Sequence, residues 1–74
     1  MKIIVVTWRD TIQDPGWSGH EELECPIIQT VGYEAFRDAQ TLKVGGSIDE
    51  EGKISGICAI PMGCVISCST IHDC

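Results

Sequence analysis

A chain of 74 residues with 5 Lys and Arg against 11 Asp and Glu carries a formal net charge of −6. That length holds one small domain, residues 1–74, and excludes two-domain architectures, solenoids and most self-contained enzymes acting on large substrates. The acidic balance argues against nucleic-acid polymers and anionic membranes as partners, because their phosphates are met by clustered Lys and Arg.

Apolar residues make up 43% and charged residues 22%, a globular balance. A domain this short buries only about 60% of the surface its unfolded chain exposes, so disulfides, a metal or association must help it. The five cysteines, Cys25, Cys58, Cys64, Cys68 and Cys74, are odd in number. The run Ile3-Ile4-Val5-Val6 is too short for a secretory signal, so the thiols are expected to be free in a reducing cytosol. No stretch approaches the roughly 18 apolar residues of a membrane span. Association is the remaining route, and a homo-oligomer is expected.

In chain order, Lys2 to Trp8 is dense in β-branched residues and reads as a strand, apolar enough for a central or interface position. Pro15-Gly16 signals a turn, and Ser18-Gly-His-Glu21 has capping-box spacing, so a short helix is expected over roughly residues 19 to 24, stopped before Pro26. Ile27 to Arg37 is a long strand, with Gly32 marking a bend or a close backbone approach. Thr41 to Ile48 follows, with Leu42, Val44, Gly46 and Ile48 on one face, and Gly45-Gly46 suggests a bulge. Asp49 to Gly52 is a charged hairpin turn. Lys53 to Ile60 is the fourth strand. Pro61-Met-Gly63 breaks the chain as one 3₁₀ turn before a fifth strand, Cys64 to Ile71. Five short strands at this spacing predict a mainly β fold, a closed or nearly closed SH3-like five-stranded barrel with one short helix after the first strand.

The ordered set Val6-Thr7-Trp8-Arg9-Asp10, Gly16-Trp17, Thr30-Val31-Gly32 and Ile60-Pro61-Met62-Gly63-Cys64-Val65 resembles a family of small proteins encoded mainly by tailed bacteriophages and prophages. The likeness spans residues 5 to 66. It departs from the family pattern at Met62, where a lysine is expected, and in the Cys-rich tail from Ser67 to Cys74. The resemblance implies a phage origin and a role in the host bacterial cytoplasm. It supplies no reaction. Small phage proteins outside the virion commonly act against host enzymes or host immunity, some by capturing cyclic-nucleotide signals in oligomeric clefts.

Trp8, Trp17, Tyr33 and Phe36 are all the aromatics. Indole faces stack on nucleobases at about 1–3 kcal/mol per base, although Trp8 equally suits the end of a core strand and Trp17 a staple of the first loop. Arg9 and Arg37 are two of only five cations, and a guanidinium matches phosphate bidentately. Their alternative role is surface pairing with Asp10 and Asp38. Cys64, Cys68 and His72 fall on one face of an ideal strand, yet span roughly 27 Å with no Cys-x-x-Cys knuckle, so no metal is expected. No nucleophile, base or phosphate-loop signature is evident, and no cofactor is implied. The runs Glu21-Glu22-x-Glu24 and Asp49-Glu50-Glu51 read as solvated faces.

These readings converge on a non-enzymatic, oligomeric phage protein that sequesters a host cyclic-nucleotide immune signal. Its ligand-binding candidates are Trp8, Arg9, Trp17, Tyr33 and Arg37. A protein–protein inhibitor of a host enzyme or defence complex is the second expectation, and a virion accessory protein the third.

Overall fold

The computed structural model describes residues 1–12, 16 and 19–73. Trp17, Ser18 and Cys74 lie outside the described residues. Five strands form, β1 (Lys2–Arg9), β2 (Ile27–Arg37), β3 (Thr41–Ile48), β4 (Ile54–Pro61) and β5 (Val65–Asp73), with single 3₁₀ turns at His20–Glu22 and Met62–Cys64. They make one antiparallel sheet in the order β4-β3-β2-β1-β5. No helix among the described residues is long and apolar enough to cross a membrane.

The turns follow from their side chains. Asp38 Oδ1 accepts the Gln40 and Thr41 backbone N–H groups at 2.8 and 2.7 Å, which reverses the chain between β2 and β3. Asp49 Oδ1 does the same for Glu51 and Lys53, at 2.9 and 2.8 Å, and Gly52 supplies the left-handed residue at φ +87°. The Met62 N–H donates to the Gln40 carbonyl at 2.8 Å, tying the second 3₁₀ turn to the β2–β3 turn. The short helix expected over residues 19 to 24 is instead one 3₁₀ turn. Its N-cap position is Gly19, which has no side chain to cap it, and the chain is already extended at Leu23. A single turn without a cap has too few bonds to propagate.

The core consists of Ile4 and Val6 from β1, Leu42 and Val44 from β3 and Ile60 from β4, all fully or almost fully buried. Strands β1 and β3 are not neighbours in the sheet, so the sheet folds over on itself to bring these side chains together. The fold-over occurs at Gly32, as expected of a close approach. A Cβ at Gly32 would run into the Gly45 carbonyl oxygen and stand 2.9 Å from Val44 Cγ1. On β3, Ile54 of the next strand packs where a Gly45 Cβ would be. The β3–β4 register runs unshifted past Gly45 and Gly46, so the bulge expected there is absent; the bulge is at Ala35 in β2.

The sheet does not close into a barrel. Strands β4 and β5 end the order as two edges, and each edge is irregular. Gly56 holds φ +66° within β4, which ends at Pro61, a residue with no N–H. In β5, Ile66 and Ile71 are extra residues against β1. Kinks, bulges and proline deny an edge the regular ladder that closure requires.

Gly32→Ala should cost about 1–3 kcal/mol, since the neighbour it meets is backbone; an unchanged midpoint in urea unfolding would contradict the close approach. The turn bonds to Gln40 and Thr41 hold the Asp38 carboxyl below its ordinary value. Its stabilising contribution is therefore complete above the unfolded value of about 3.9 and lost as pH falls through the lower folded value. An NMR titration should show Asp38 with a depressed midpoint, and Asp38→Ala should flatten the acid limb of the stability curve.

Candidate functional site

Residues paired across an antiparallel ladder share a face, so the register sorts the candidates. The inner face carries Ile4, Val6 and Trp8 from β1, opposed by Gly32, Thr30 and Ile28. The outer face carries Ile3, Val5, Thr7 and Arg9, opposed by Tyr33, Val31, Gln29 and Ile27.

Trp8 is half-buried against the core, and its Nε1–H donates to Thr30 Oγ1 at 2.9 Å. That bond fixes the indole plane, in keeping with the end of a core strand. Arg37 also belongs to the inner face, for a reason a plain strand would not permit. In a regular strand, residues three apart point to opposite sides. The bulge at Ala35 shifts the register so that Glu34 opposes Val44 while Arg37 opposes Leu42, both on the inner side. The Arg37 Nη2–H group thereby donates to Glu34 Oε1 at 2.6 Å and to Cys68 Sγ at 3.1 Å. Cys68 is the cross-strand partner of Val6, two residues from Trp8. One inner-face constellation results, running from Trp8 past Cys68 to Arg37 and Glu34.

Its electrostatics are partly self-neutralised. Glu34 is 19% exposed and Arg37 42%. The Cys68 sulfur first, and then the Glu34 carboxylate, hold the guanidinium more firmly protonated than usual. The expected pairing of Arg37 with Asp38 does not form, because Asp38 is committed to its turn. Likewise the Asp10 carboxylate accepts the Thr11 N–H at 2.7 Å.

Arg9 and Tyr33 are elsewhere. Arg9 is exposed at the outer end of β1, opposite Ile27, whereas Tyr33 opposes Ile3 and Gly45. Six residues of β2 separate those rows, about 20 Å at strand rise. Four of the five candidates therefore divide into an inner pair, Trp8 and Arg37, and two separated outer residues. Glu34 and Cys68 escaped sequence reading because their involvement depends on a bulge and on the fold-over. The face shared by Cys68 and His72 in an ideal strand is also lost: the extra residue Ile71 places His72 opposite Ile3, on the outer side. Among the described residues no three His, Cys, Asp or Glu side chains are grouped to hold a metal ion, and no pocket is formed.

Thr30→Val keeps the β-branched shape but removes the acceptor for Trp8. It should cost about 1 kcal/mol, read by chemical denaturation, and a neutral result would mean that the indole is not anchored by this bond.

Comparison with protein-family models, curated proteins and solved structures gives no match.

Proposed function

We propose that this chain is a non-enzymatic binding protein of phage origin. As an oligomer in the host bacterial cytoplasm, it sequesters a nucleotide immune signal. The observation that carries the reading is that Trp8 and Arg37 share the inner face: Arg37 bonds Cys68, whose cross-strand partner Val6 lies two residues from Trp8. That pair offers a base a stacking surface and a phosphate two or more N–H donors. A single copy forms no pocket among its described residues, so the cleft that encloses the ligand is assigned to more than one copy. The sheet order and the 3₁₀ turn at Met62–Cys64 before β5 support reading the fold as an opened SH3-like arrangement.

Glu34 sets the terms of anion binding. A phosphate approaching Arg37 competes with a carboxylate already 2.6 Å from Nη2. Arg37→Ala should therefore abolish capture, whereas Glu34→Gln should strengthen it several-fold by lifting the competition.

The second reading is a protein–protein inhibitor of a host enzyme or defence complex. The open outer face favours it, with Val31 58% and Ile57 51% exposed. Native mass spectrometry against a pool of cyclic mono-, di- and trinucleotides separates the two. An oligomer gaining the mass of an unmodified nucleotide, lost in Arg37→Ala, supports sequestration. An oligomer that gains nothing rejects sequestration and leaves the inhibitor reading.

A further inference from the structure

We draw no further inference here: the strongest candidate, the Cys68 thiol on the inner face of β5 that accepts the Arg37 Nη2–H group at 3.1 Å, belongs to the site already described, and nothing else among the described residues points to a reactant or ligand that this one cysteine would take.

Discussion

At Gly32 the backbone of β2 passes so close to the carbonyl of Gly45 that a single added carbon has no room. The packing of the inner face depends on that approach. It turns what would be a long, flat five-stranded meander into a sheet folded over its own inner face. Only then can Ile4 and Val6 reach Leu42, Val44 and Ile60, which belong to strands not hydrogen-bonded to β1.

The same fold-over defines the chemistry of the inner face. It carries the end of β2 across toward β5, and the bulge at Ala35 then aims Arg37 inward, where it meets Cys68 and Glu34. A small core and a polar cluster at its margin thus share one cause. What the fold-over does not achieve is coverage of the outer side. Five buried side chains are a modest core, and the outer side carries exposed apolar residues such as Val31 and Ile57 among the polar Thr7, Gln29, Ser67 and Ser69.

Much of this architecture was legible in the sequence. The strands Ile27–Arg37 and Thr41–Ile48 match their expected bounds because Asp38 and Asp49 mark the turns on either side of β3. The remaining strands differ by only one or two residues at their ends, and Gly32 was readable as a close approach. Barrel closure was not legible. It depends on whether two edges can pair, and the conformation at Gly56 and the extra residues in β5 decide that only in three dimensions. The candidate site was half visible. Trp8 and Arg37 drew attention as scarce residue types, yet strict alternation cannot show that Arg37 shares a face with Glu34 or that His72 parts from Cys68. Each of those outcomes is set by one inserted residue, Ala35 or Ile71, and a reading with period two skips such residues.

The central claim is the fold-over, and methyl–methyl nuclear Overhauser contacts test it most directly. The account predicts cross-peaks joining the Ile4 and Val6 methyls to those of Leu42 and Ile60, between strands that share no hydrogen bonds. The pattern should persist on dilution, because the core lies within one chain. Cross-peaks confined to sheet neighbours such as Val5 with Val31, or core contacts that vanish as the protein is diluted, would contradict it.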